Sequence, residues 1–351
     1  GKTPDTPMSS LAALLLAYDL DPGDTVHVDH GNYTLLANIP LLADDGGVLI
    51  EGPTAGAAVL DRSNQVSGLY VFEVLGANDV TLDGLKITGG YSGIFGSYDT
   101  ASSGVTVTNC EIYGHEYYGM YLYDDHVGVK VLDNVIHDAS RGIEVYGEGS
   151  LIQGNELYSQ GLGIRADGPD VHILDNEVYG HSLGIDVSGG YQGGADVLVE
   201  GNRVHDNQNG ISADSKGYVL VTGNHVYDNR LGYGIELDSD SAAINNIVHG
   251  NDVGIKVMDE WNRVEGNRVY DNSSEGIYAY YPTDIVGNQV YTNSTGIRIQ
   301  GACRANNNVV YDNTDYGFYL YYGQSAQVLN NTVYQRVGDA IRLDYYSSRV
   351  T

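Results

Sequence analysis

The sequence predicts an all-β solenoid of about a dozen coils, closed at its start by a short cap helix. Three observations lead there. One unit of roughly twenty residues is written out again and again, most legibly as GNRVHDNQNGISAD (Gly201–Asp214), GNHVYDNRLGYGIELD (Gly223–Asp238) and NNIVHGNDVGIKVMD (Asn245–Asp259). A Gly-hydrophobic pair marks each coil, from Gly93-Ile94 to Ala340-Ile341, in steps of 20 to 26 residues. An Asn series keeps the same beat: Asn134, Asn155, Asn176, Asn202, Asn224, Asn246, Asn267, Asn288, Asn308 and Asn331.

Taken in order, Ser10–Asp19 carries Leu11, Leu14, Leu15 and Tyr18 at the spacing of one helical face, and a helix laid over the first coil would cover its open apolar end. Residues 21–35 then give a turn, a strand with Val26 and Val28 on one side, and another turn. Residues 1–47 are thus cap and first strands, and 48–351 the coils of a single domain. The longer steps, Gly93 to Gly119 and Gly184 to Gly210, require bulging loops, and insertions in repeat proteins often mark the working face. An Asn at each turn can bond across coils and satisfy buried backbone, a structural device. Cys110 fills the Asn slot of its coil and Cys303 an inward position. They are too far apart along the repeat to pair, so both read as buried thiols. The chain stops at YYSSRVT, which matches the start of another repeat, so a segment of a longer, multidomain protein is expected.

The totals restrict partners. With a formal net charge of −29, nucleic acid and anionic membrane surfaces are poor partners, whereas divalent cations and neutral glycans are better ones. No run reaches membrane-spanning length, and the Leu11–Ala17 patch lacks the basic flank of a signal peptide.

The pattern N-x-(V/I)-(Y/H)-x-N…G-I-x-(V/L) resembles the repeat of right-handed parallel β-helix proteins in the pectin lyase-like superfamily, from about Val48 onward. The resemblance implies a right-handed parallel β-helix, a fold that hosts lyases, hydrolases, epimerases and non-catalytic adhesins. At the repeat level the chain is also similar to alginate C5-epimerases, whose Asp-Pro-His-Asp/Glu motif follows a Tyr-Gly-Phe. Here the match is Tyr233-Gly234-Ile235-Glu236-Leu237-Asp238: Glu236 takes the first acidic position, and Leu237 and Asp238 stand where that motif has Pro and His.

In G-I-x-V-x the two x residues face outward and stack into columns about 4.8 Å apart per coil. Tyr121, Glu144, Arg165, Asp186, Glu236, Lys256, Tyr278, Arg298 and Tyr319 fall in one column. Tyr123, Tyr146, Asp167, Asp214, Asp238, Tyr280 and Tyr321 fall in the other. Alternating signs would also be a self-neutralising sheet face. As a groove, the tyrosines and charges suit a polysaccharide: Tyr121, Tyr123, Glu144, Tyr146, Arg165, Asp167, Tyr280, Tyr319 and Tyr321 would bind it. Chemistry would come from Asp186, Asp214, Glu236 and Asp238 for hydrolysis, where Asp214 beside Asp238 would raise one carboxyl's pKa. Lysis or C5 epimerisation would instead draw a neutralising group, a base and an acid from the contiguous Lys256, Tyr278, Tyr280 and Arg298.

A further column, Tyr113, His137, Tyr158, Tyr179, His205, Tyr227, His249, Tyr270, Tyr291, Tyr311 and Tyr334, reads as structural stacking. Its histidines are separated by tyrosines, which argues against a transition-metal site. Asp124, Asp125 and Asp240 are the candidates for calcium, the one cofactor expected. The functional expectation is a monomeric extracellular or cell-surface protein that acts on a polysaccharide. The alternative is a non-catalytic glycan-binding or adhesive segment.

Overall fold

A computed structural model describes residues 8–159, 161–189, 197–214, 217–323 and 325–345. The chain is an all-β parallel solenoid of about fourteen turns with one short α-helix. It divides into two compact units, residues 1–172 with six coils and residues 173–351 with eight. Each coil contributes one strand to each of three sheets, and every long ladder is parallel. The expected dozen counted only coils marked by Gly-hydrophobic or Ala-Ile pairs. The first two coils have Ile39–Leu42 and Tyr70–Leu75 as third strands and lack that mark.

The cap helix is Leu11–Ala17, with the Ser10 hydroxyl accepting from the Ala13 amide at its N-terminus. It buries Leu11 and Leu15, and it packs on the strand Ile39–Leu42. Val26 and Val28 point inward as expected.

The core follows from three-residue strands whose middle residue is apolar: Ile112, Ile136 and Leu157 in the first unit, and Val204, Val226, Val248 and Val269 in the second, all fully buried. What lets so short a strand turn sharply is a left-handed residue at each corner. Asp133 (φ 54°), Asp175 (53°), Asn245 (56°) and Asn307 (57°) precede ladder asparagines, and glycine takes the same place at Gly223 (64°) and Gly266 (64°). Asp, Asn and Gly are the residues that tolerate this conformation, so the corner composition is dictated by backbone sterics.

The Asn series forms a continuous buried ladder within each unit. In the second, Asn224 Oδ1 accepts from both the backbone amide and the Nδ2 of Asn202 at 2.9 and 3.0 Å, while Asn224 Nδ2 donates to Val199 O. Each link thus joins side-chain amide to side-chain amide and also satisfies a backbone carbonyl of the adjoining coil. Cys110 sits in that slot: its backbone amide donates to Asn134 Oδ1 at 2.9 Å. Both thiols are free and buried, and burial pushes each up to about 12. Cys303 lies immediately before the strand Arg304–Asn306, not within it.

A second ladder was not anticipated. Asn207, Asn229, Asn251, Asn272, Asn293 and Asn313 are buried and linked coil to coil, ending on Gln335. Each follows an Asp, Thr or Gly that holds the left-handed corner (Asp206 54°, Asp228 56°), which aims the Asn inward.

Of the two long steps, the first contains Ser102–Ser103, which pairs with His126–Val127 as a separate two-stranded sheet. The second lies partly in 190–196, and YYSSRVT from 346 on lies outside the described residues too.

Candidate functional site

In the second unit the outward columns lie on the third sheet, on strands Leu183–Ser188, Asn209–Asp214, Tyr233–Leu237, Val253–Val257, Glu275–Ala279, Thr295–Ile299 and Tyr316–Tyr321. The ladder register aligns Asp186 with Ser212, Ser212 with Glu236, Glu236 with Lys256, Lys256 with Tyr278, Tyr278 with Arg298 and Arg298 with Tyr319. The alternation therefore puts the sequence-derived column in register, because buried apolar residues take the inward positions on both sides of each outward residue.

Asp214 and Asp238 come together as a hydrogen-bonded carboxyl pair. Burial, then the charge of Asp214 and that hydrogen bond, and further out Glu236 and Asp259, raise Asp238 from its ordinary 3.8 to about 6. Tyr233, which the sequence showed only as the start of the Tyr-Gly-Ile match, faces the same cluster. Burial first, then Glu236, Asp186 and Asp238, push its hydroxyl well above the usual range despite a hydrogen bond from Ser212, so it remains a neutral phenol. The signal that could have found it is its position directly before Gly234: residues there alternate outward with the x positions (Tyr233, Glu275 and Tyr316 are all partly exposed).

Lys256 is already engaged. Its ammonium lies 2.5 Å from Glu236 Oε2 and 5.5 Å from the centre of the Tyr233 ring. Arg298 likewise bonds Glu275 Oε1 at 2.8 Å and lies 4.8 Å from the Tyr278 ring, 5.5 Å from Tyr319 and 5.9 Å from Tyr321. Burial opposes its charge, but Glu275 and the tyrosines hold its pKa above the ordinary value. Its Nε is buried without a hydrogen-bond partner. The Tyr278 hydroxyl donates to Gln300 Oε1 at 2.9 Å, and burial raises its pKa. Tyr280 is 37% exposed and packs edge-on to Tyr278. Lys256 and Arg298 are thus each paired with a carboxylate of this chain. Glu275, which neutralises Arg298, was missed by considering only the x positions.

In the first unit the expected glycan-facing residues divide. Glu144 is 1% exposed and Tyr121 9%, so neither meets solvent as alternation suggested. Side-chain length, not backbone direction, decides this. Arg141 Nη1 donates to Glu144 Oε1 at 2.5 Å, the Tyr146 hydroxyl donates to Glu144 Oε2 at 2.9 Å, and Phe95, Tyr118, Tyr123 and Tyr146 pack around Tyr121. Tyr123, Tyr146, Arg165 and Asp167 are partly exposed, with Arg165 Nη2 3.5 Å from Asp167 Oδ2 and its guanidinium 6.0 Å from the Tyr146 ring.

For calcium, Asp124, Asp125 and Asp240 are exposed turn residues, and His126 beside the first two is buried with Nε2 against Ser97 O at 3.1 Å. Among the described residues no three His, Cys, Asp or Glu side chains are grouped to hold a metal.

Three parallel sheets wound coil on coil, with an outward column of charge and tyrosine, define the class of parallel β-helix proteins. The chain belongs to the right-handed β-helix family: the family described as "Right handed beta helix region" matches residues 41–155, 126–262 and 260–333. Its sequence matches none of the curated proteins compared with it. Among solved structures, the A-module of mannuronan C-5 epimerase AlgE6 from Azotobacter vinelandii matches with a TM-score of 0.54 and 16% identity, over 97% of this chain and 92% of that one. The AlgE4 A-module from the same organism gives 0.51 and 18%, over 97% and 93%. DFA-IIIase from Arthrobacter chlorophenolicus A6 in complex with GF2 gives 0.51 and 16%, over 84% and 85%. At such identities the likeness is one of fold.

Proposed function

We propose that this chain cleaves a glycosidic bond in a polysaccharide lying along the third sheet of the second unit, in an extracellular or cell-surface setting. The observation that carries the proposal is the hydrogen-bonded Asp214–Asp238 pair, with Asp238 raised to about 6. A carboxyl that keeps its proton near neutrality is what protonation of a leaving sugar oxygen requires. Asp238 gives its proton to the glycosidic oxygen as the carbon–oxygen bond breaks. Water adds its hydroxyl to the anomeric carbon and loses its other proton to a second carboxylate. Glu236, two residues before Asp238 and on the same outward face, is the carboxylate proposed for that role, roughly 7 Å away at about 3.3–3.4 Å per strand residue. That is near the separation used for inversion. Mannuronan, named for two of the three structural neighbours, supports a glycan substrate by analogy of fold.

A second reading, glycan binding without turnover, is favoured by the internal pairing of Lys256 with Glu236 and Arg298 with Glu275, which leaves a neutralised, tyrosine-lined face.

Proton NMR of the protein incubated with acidic and neutral polysaccharides, with and without calcium, tests the proposal. New reducing ends that disappear in Asp238→Asn support hydrolysis. Unsaturated uronate signals, or altered uronate configuration without cleavage, would overturn it in favour of lysis or epimerisation. Binding without any new signal would leave the second reading.

A further inference from the structure

The outer face of the second sheet holds a contact that neither the sequence nor the glycan groove accounts for. His225 opens the strand His225–Tyr227 and His249 closes the strand Ile247–His249; the register pairs His225 with Ile247 and Tyr227 with His249, so the two histidines are diagonal neighbours. Their Nε2 atoms lie 2.9 Å apart. Two imidazoles so placed point ring nitrogens at one another, and only one of those nitrogens can carry a hydrogen.

The rings are also held. His249 is stacked between Tyr227 at 5.3 Å and Tyr270 at 4.7 Å, and His225 packs against Tyr227 at 4.4 Å. Both are partly exposed. The sequence argument against a metal counted only the stacking column, in which tyrosines separate His137, His205 and His249. His225 belongs to the neighbouring column, and the diagonal closes the gap.

We propose that His225 and His249 form a two-nitrogen chelate for a divalent transition metal of right-angle preference, Cu2+ first and Ni2+ second. Two metal–nitrogen bonds of about 2.0–2.1 Å separate their nitrogens by about 2.9 Å when the angle is 90°, and by about 3.3–3.4 Å when it is tetrahedral. The observed spacing is the former. Both Nε2 lone pairs would face the ion, with the ring protons on Nδ1, and solvent would fill the other positions, since no third described side chain completes a set. The charged and titratable groups bearing on the pair are Arg203 and His205 on the His225 side and Asp228, Arg268 and Asp271 on the His249 side. An ion there joins two successive coils, and by binding the native state over the unfolded one it raises the melting temperature.

The test titrates the whole chain with copper sulfate, nickel chloride and zinc chloride by calorimetry, with electron paramagnetic resonance on the copper sample. Expected are one Cu2+ per chain with two equatorial nitrogens, affinity falling from copper to nickel to zinc, and a higher melting temperature with copper. His225→Gln and His249→Gln should each weaken binding at least tenfold, while His205→Gln, also folded by circular dichroism, should not. Absence of stoichiometric binding, copper retained by both single variants, or zinc held more tightly than nickel would each overturn the chelate.

Discussion

Single side chains set the pH behaviour of this protein, and two of them act with opposite sign. Asp238 keeps its proton up to about 6 when folded and to its ordinary 3.8 when unfolded. Its contribution to stability is therefore complete below 3.8 and lost as pH rises through 6. Because solvent reaches much of the group, the swing is about 1 kcal/mol, and Asp238→Asn should flatten that part of a melting-temperature profile. In activity, the same substitution should cost roughly a hundredfold or more, and the wild type should lose turnover above about pH 6. His115 is the opposite case. Buried with Nδ1 accepting from the Gly90 amide and Nε2 against Ile87 O, it is pushed down to about 4 by burial. Its contribution is present above the ordinary 6.5 and is lost as pH falls toward 4. His115→Asn, the residue later coils use at the corresponding turn, should remove that acid-side loss, read as melting temperature between pH 4 and 7.

At the scale of the element, the ladders and the short strands carry the coils. Asn229→Ala would deprive the Asn207 amide and Nδ2 of their shared acceptor, Val204 O of a donor and Asn251 Oδ1 of one of its two donors. Buried groups left unpaired in this way cost about 2–5 kcal/mol, visible in denaturant unfolding. By contrast Asp206→Asn, at a corner both residues tolerate, should stay within about 0.5 kcal/mol. These differences also show what the sequence could convey. The Asn202 series was legible because one residue type recurs at one spacing and its partner is the same residue a coil away. The Asn207 series was hidden by its Asp neighbours, which look like ordinary turn residues until the left-handed φ is known. Pairing of Asp214 with Asp238 followed from strand register. The burial of Glu144 and Tyr121 did not, because it depends on how Arg141, Tyr118 and Tyr146 fold over them. His225 with His249 crosses two columns, and a reading made column by column does not compare them.

For the molecule as a whole, the formal charge of −29 is a constant load. Like charges on a compact chain repel, so added sodium chloride up to about 0.15 M, where the Debye length is about 8 Å, should raise the melting temperature. A fall with salt would mean that the ion pairs of Lys256, Arg298 and Arg141 outweigh the repulsion. The two asparagine ladders have a further consequence, for inheritance. Asn267 to Asn288 and Asn272 to Asn293 both span 21 residues, and each asparagine meets a chemically identical one on either side. Excising residues 267–287 would bring Asn288 against Asn246 and Asn293 against Asn251, with the same donors facing the same acceptors. Length in such a gene can therefore change by whole coils through unequal crossing-over without opening either ladder, whereas a loss of ten residues would break both. The stacking that secures each coil also makes it interchangeable with its neighbours, and leaves the outward side chains as the part that selection can rewrite.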